Sequence, residues 1–242
     1  MKKAVSIAVC LIMLFSFAAC NKQPENTVTE LSTIDYENYT YTKPDSSVEI
    51  EGTLTDSVTW ELYDDGSLYI EGNGDMPDWT KIGDLAWRDK SHKINSVYIS
   101  KGITSVGDYA FAYCQNLSLV YMPDTITSIG NSAFIRCERL EHIQLPDSVT
   151  EIGDSAFAYC LTLSSVNIPE SVTSLGGSAF SFCTAIKELT IHSDISYVGE
   201  GCFAGWTEEQ KITVKNSDSY ISQNWNLEWS ADCSAPININ QE

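Results

Sequence analysis

The sequence predicts an α/β solenoid: coils of mostly short parallel strands joined by short helical turns, opened by a β-hairpin cap. Three columns of residues predict it. Gly107, Gly130, Gly153, Gly176 and Gly199 lie 23 residues apart. Phe111, Phe134, Phe157, Phe180 and Phe203 keep the same step, and so do Cys114, Cys137, Cys160 and Cys183, with Trp206 in the fifth place. A fixed period in the twenties marks a repeat whose single unit cannot bury its apolar face, so that stacked neighbours must share one core.

In chain order, Met1-Lys2-Lys3 is a basic head, residues 4–17 form an apolar run, and Ala18-Ala19-Cys20 is a small-residue stop. This is the layout of a cleaved secretory signal over 1–19, too short to reside in a bilayer as a helix. Phe17-Ala18-Ala19-Cys20 resembles the bacterial lipobox, which implies cleavage before Cys20, acylation of its thiol and attachment to a membrane through that anchor; an ordinary cleavage site that happens to contain a cysteine is the alternative. Residues 20–47 are rich in Thr, Glu, Asn, Ser and Tyr and sustain no apolar period, so they are expected to be a flexible tether.

Without Lys2 and Lys3 the chain carries 12 basic against 33 acidic side chains, a formal charge of −21. Such a surface disfavours nucleic acid and points to neutral or basic partners. Residues 48–242 suffice for one good core.

Residues 48–98 are expected to cap the solenoid. Trp60-Glu61-Leu62-Tyr63 and Ser67-Leu68-Tyr69-Ile70 alternate around Asp64-Asp65-Gly66, a hairpin signal, and Asp84 to Lys90 suggests one short helix around Leu85, Ala86 and Trp87. Large aromatics there would cover an open end that otherwise exposes core and a strand edge. Residues 99–206 hold five repeats. In each, pairs such as Val97/Ile99, Val120/Met122, Ile143/Leu145, Val166/Ile168 and Leu189/Ile191 are spaced by two, the signature of a strand with both side chains inward. Pro123, Pro146 and Pro169 close three of these strands because proline cannot donate to the ladder. The glycine column supplies either a turn with positive φ or a close backbone approach. Residues 207–242 form the second cap.

The phrase Ile168-Pro169-Glu170-Ser171-Val172-Thr173-Ser174-Leu175-Gly176-Gly177-Ser178-Ala179-Phe180-Ser181-Phe182-Cys183 resembles the BspA-type leucine-rich repeat of bacterial surface proteins. Gly72-Asn73-Gly74-Asp75-Met76-Pro77 is similar to that family's N-terminal cap. Phe203-Ala204-Gly205-Trp206-Thr207-Glu208-Glu209-Gln210, with Trp225, Trp229 and Cys233, is similar to its C-terminal cap. The resemblance covers roughly residues 52–235. It implies a leucine-rich-repeat fold and a cell-surface binding module, in some members an adhesin for host matrix proteins.

No constellation argues for chemistry. Gly153-Asp154-Ser155-Ala156 looks like a serine-hydrolase nucleophile segment, but it shares its phase with Gly107-Asp108-Tyr109-Ala110 and two further coils, and a catalytic serine needs a base and an oxyanion hole that the repeat does not supply. His92, His142 and His192 fall in three different phases, without the spacing of a zinc site. The recurring acids Asp124, Asp147, Glu170 and Asp194, and Asp108, Asp154 and Glu200, lack the nonapeptide pattern of calcium solenoids and are read as solvated turns. No enzyme activity, metal or cofactor is expected. The ladder cysteines are expected to be buried thiols rather than disulfides, because stacked identical side chains point in parallel; Cys233 is the expected exception.

What remains is the strand face pointing away from the core. Ser96, Leu119, His142, Ser165 and Glu188 form one outward column, and Tyr98, Tyr121, Gln144, Asn167 and Thr190 form the other. Aromatic residues on a sheet are frequent interface anchors, so Tyr98, Leu119, Tyr121, His142, Gln144 and Asn167 are the candidate ligand-binding residues. The function expected is a lipid-anchored, extracytoplasmic, monomeric module at the bacterial cell surface that binds a protein or glycan ligand. The alternative is a structural envelope protein whose solenoid stacks on its neighbours.

Overall fold

The computed structural model describes residues 41–192, 194–215 and 218–239. The signal over 1–19, the lipidation site Cys20 and most of the tether lie outside the described residues.

Each coil has three sides. The first is a strand in the main sheet. The hairpin strands β1 (Val48–Thr55) and β2 (Val58–Tyr63) run antiparallel, β2 pairs with β3 (Ser67–Gly72), and from there β5 (Ser96–Ile99) and β7 (Leu119–Tyr121) continue in parallel. The same side carries on as the parallel pair β9 (His142–Gln144) and β11 (Ser165–Asn167), then as β13 (Glu188–Ile191), β15 (Lys211–Val214) and β16 (Ile237–Ile239). The second side is a six-stranded parallel sheet of very short strands: β4 (Gly74–Asp75), β6 (Ile103–Val106), β8 (Ser128–Ile129), β10 (Glu151–Ile152), β12 (Ser174–Leu175) and β14 (Tyr197–Val198). A threonine ladder reinforces it, since the amides of Thr127, Thr150 and Thr173 donate to the carbonyl one coil earlier at 2.8, 2.8 and 2.9 Å. The first strand of this sheet, β4, comes from the cap, which therefore supplies a coil of its own.

The third side contains tight turns in place of the expected helical ones, and the sole α-helix among the described residues, α1 (Asp218–Asn224), lies in the second cap. Two residues per coil take positive φ, at positions two and six after the column glycine: Tyr109, Ser132, Ser155 and Ser178, then Tyr113, Arg136, Tyr159 and Phe182. This alternation turns successive amides in different directions. Tyr109, Phe111 and Tyr113 donate to Asn131, Ala133 and Ile135 of the next coil, while Ala110, Ala112 and Cys114 donate within their own coil to Gly107, Tyr109 and Phe111. In this way the buried amides of Phe111, Phe134, Phe157 and Phe180 each find a carbonyl in the next coil. The column glycines do not take positive φ. They answer to the second expectation, a close approach: a Cβ on Gly153 would lie 2.8 Å from the Asn131 amide nitrogen. Gly201 and Gly205 take the two positive-φ places in the fifth coil at no steric cost.

The core is a slab of inward Val, Ile and Leu around a stack of phenylalanines. Phe111, Phe134, Phe157 and Phe180 follow one another at 5.2, 5.3 and 5.4 Å between ring centroids, nearly parallel. Trp87, with Trp60 and Trp79 against it, closes the first end; Trp206, Trp225 and Trp229 close the other. The expected helix over Asp84 to Lys90 is instead a pair of 3₁₀ turns, Ile82–Asp84 and Arg88–Lys90. The ladder cysteines are free buried thiols as expected, and Cys233, expected as the exception, is free as well and half-buried. Cys137, Cys160 and Cys183 donate S–H to the carbonyls of Phe111, Phe134 and Phe157 at 3.2, 3.2 and 3.0 Å, and Trp206 makes the same bond to Phe180 through Nε1 at 2.8 Å. The Cys-to-Trp exchange in the repeat thus keeps the donor. Burial pushes the Cys114 and Cys160 thiols up to about 12.

Candidate functional site

The outward columns of the main sheet divide into two halves with different surroundings. In the first half the tyrosines gather. Tyr69 and Tyr98 stack at 4.7 Å and 9°, and Tyr121 lies 6.5 Å from Tyr98. Residues 41–43, expected to be flexible tether, lie over this cluster. The Tyr41 ring sits 5.0 Å from Tyr69, 5.5 Å from Tyr98 and 6.4 Å from Tyr121. Tyr121 is only 1% exposed and Tyr69 2%. The outward anchor expected at Tyr121 is therefore corrected: the residue does point away from the core, but the chain's own N-terminal segment covers it. Tyr98 and Leu119 are half-buried, and Ser96 is buried against Ser67.

Two carboxylates fix this segment. Lys43 reaches Glu61 at 2.7 Å and Glu71 at 2.9 Å, and the Tyr41 hydroxyl donates to Glu71 at 3.2 Å. The Lys43 hydrogen bond holds the Glu61 carboxyl below its ordinary range, against partial burial, and the Tyr63 hydroxyl adds to the effect. Burial, reinforced by the charge of Glu71, raises Tyr41 well above a free tyrosine. The Ser47 carbonyl accepts from the Asp64 amide at 3.0 Å, which ties the segment to the hairpin turn.

The second half is open. His142, Gln144, Ser165, Asn167 and Glu188 are exposed in regular columns, with His142 Nδ1 at 2.8 Å from Ser165 Oγ. Beside them lies a groove of about 350 Å³ lined by Asp147, Asn167, Ile168, Pro169, Glu170, Ser171 and His192. His192 stands 3.9 Å from Glu170 across it. The structure thus brings His142, Gln144 and Asn167 together on one surface and adds Asp147 and Glu170, expected as solvated turns, and His192. The signal was present: Asn167 and Glu170 are three residues apart across a proline that turns the chain.

The opposite turns are structural. Asp108 and Asp154 accept the amides of Asn131 and Gly177 at 2.5 and 2.6 Å, and Asn131 Oδ1 accepts that of Asp154 at 2.7 Å. One side chain per coil caps the next coil's backbone. Ser155 occupies the same positive-φ position as Tyr109, Ser132 and Ser178. Among the described residues no group of three or more His, Cys, Asp or Glu side chains is placed to hold a metal ion.

A model of the BspA-type leucine-rich repeat region matches residues 80–209 in six copies. The chain belongs to the BspA-type leucine-rich repeat family. Among solved structures, a leucine-rich repeat protein from Eubacterium ventriosum is 28% identical with a TM-score of 0.58, the match covering 71% of this chain and 45% of that one. A leucine rich cell surface protein from Faecalibacterium prausnitzii is 24% identical over 71% of this chain and 56% of that one, with a TM-score of 0.49. The chain thus spans about half the length of these two relatives. The leucine-rich repeat protein of T. pallidum is 21% identical, covers 68% of this chain and 82% of that one at a TM-score of 0.51, and shares the fold. No curated protein sequence matches significantly.

Proposed function

We propose that this BspA-type protein is a non-enzymatic binding module of the bacterial cell surface, anchored by a lipid on Cys20, and that it meets a protein or glycan ligand with the open half of its main sheet. The observation that carries the reading is the flat polar array of His142, Gln144, Ser165 and Asn167 running into the groove of Asp147, Glu170 and His192. A regular array of donors and acceptors at strand spacing suits the repeating hydroxyls of a glycan or the backbone of a protein segment. The groove's carboxylates add a place for a basic group. The alternative of end-to-end stacking finds less support, since tryptophans close both ends of the core.

The test is a screen of the lipid-free protein against arrays of cell-wall glycans and host matrix proteins, followed by affinity measurements on variants. Gln144→Ala and Asn167→Ala should each weaken binding of the ligand found by at least about fivefold, on the order of 1 kcal/mol per lost hydrogen bond. Glu151→Ala, exposed on the second sheet, should leave it unchanged. Equal losses from all three would place the site elsewhere.

A further inference from the structure

The aromatic half of the main sheet holds a peptide in the structure: the chain's own residues 41–43. Tyr41 and Lys43 face the sheet half-buried while Thr42 between them is exposed, the two-residue alternation of an extended segment. These residues form no strand ladder with the sheet. Side chains therefore carry the recognition, apart from a Tyr69 hydroxyl donated to the Thr42 carbonyl at 3.4 Å.

The chemistry on the sheet side is specific. Tyr69, Tyr98 and Tyr121 present a cluster of rings to one aromatic residue, and Glu61 and Glu71, on the adjacent strands β2 and β3, present two carboxylates to one cation. Lys43 also lies 5.7 Å from the centre of the Tyr69 ring, where the ring's negative face favours a cation. Without a cation there, two like charges would stand together at the rim of an apolar patch.

We propose that this half of the sheet is a docking site for an extended peptide segment bearing an aromatic residue and, two positions later, a lysine, and that Tyr41-Thr42-Lys43 occupies it as an intramolecular pseudo-ligand. A partner protein presenting such a segment would compete with the strap, whose tether gives it an effective concentration in the millimolar range. The proposal rests on the strap's contacts alone and does not depend on the open half binding anything.

The experiment uses the full chain with Tyr41→Ser and Lys43→Ser together, and a fluorescent acetylated peptide with the sequence of residues 40–47 as the probe. The double variant should bind the peptide at least about tenfold more tightly than the unsubstituted protein does, because no strap competes. Replacing either the tyrosine or the lysine of the peptide by serine should abolish that gain, and Asn167→Ala in the open half should not affect it. Equal binding to the two proteins, equal binding of a scrambled peptide, or no saturable binding to a cooperatively melting variant overturns the proposal. If the double variant melts without cooperativity, Lys43→Ser alone decides by the same comparison.

Discussion

Phe157→Ala tests the phase of the whole solenoid. The ring is fully buried at the middle coil and has a parallel neighbour on each side, Phe134 at 5.3 Å and Phe180 at 5.4 Å. Truncating a buried phenylalanine costs about 3–5 kcal/mol in lost transfer energy and cavity. The upper part of that range is expected here, because removing one ring breaks two stacks, each worth about 0.5–1.5 kcal/mol beyond its burial. With roughly 2–4 °C per kcal/mol for a domain of this size, the melting temperature should fall by about 8–20 °C. Coils support one another only through neighbours, so the denaturant slope should also fall if the two halves begin to unfold separately. The control is Phe182→Ala, three-fifths buried on the outside of the next coil and stacked on Tyr159 at 4.6 Å; it should cost only about 1 kcal/mol. Urea titrations of both variants decide. A loss under about 1 kcal/mol for Phe157→Ala, or a larger loss for Phe182→Ala, would mean that inward and outward have been exchanged.

Three further outcomes follow from particular contacts. Of the six cysteines beyond residue 20, only half-buried Cys233 should react with a thiol reagent in the native protein, and more slowly than a free thiol because burial raises it too; Cys114, Cys137, Cys160, Cys183 and Cys202 should react only after denaturation, since they are fully buried and burial holds their thiols far above the ordinary value. At Ser155, held at φ 55°, glycine should be neutral or mildly stabilising, whereas the β-branched Ser155→Val should cost about 1–3 kcal/mol in thermal unfolding. The Lys43–Glu61 pair should favour the closed strap above the ordinary glutamate value of about 4.3 and lose its effect as pH falls through the lowered native value, because the native carboxyl is the more acidic one. Near-ultraviolet dichroism of the tyrosines should accordingly change below about pH 4. A change on raising pH from about 6 to 8 instead would show that another group controls the strap.

The repeat was legible because every coil poses the same steric problem and receives the same residues. The phenylalanine stack, the buried cysteines, the paired inward positions and the hairpin around Gly66 all follow from spacing alone. The positive-φ positions were less so: the glycine column drew the expectation, while four coils carry the conformation on Tyr, Ser, Arg and Phe. Only Gly201 and Gly205, standing at those phases in the fifth coil, betrayed it. The candidate surface was legible in part. Periodicity gives the outward direction of Tyr121 but not what comes to lie on it, and Tyr41-Thr42-Lys43 sits in a stretch too short and polar to announce a docked segment. The groove escaped because it joins a strand residue, Asn167, to turn residues of coils three and four and to His192 of coil five. Such a junction exists only after the coils stack.

The most direct test of the claim that the open half of the sheet is the functional surface is site-specific photo-crosslinking of the lipid-free protein to the ligand recovered from the arrays. A benzophenone side chain would be placed at Gln144 in one protein and at Glu151 in another, positions on the main and second sheets of the same coil. An adduct is expected from position 144, competed away by excess unlabelled protein, and none from position 151. An adduct from position 151 with none from position 144 would contradict it.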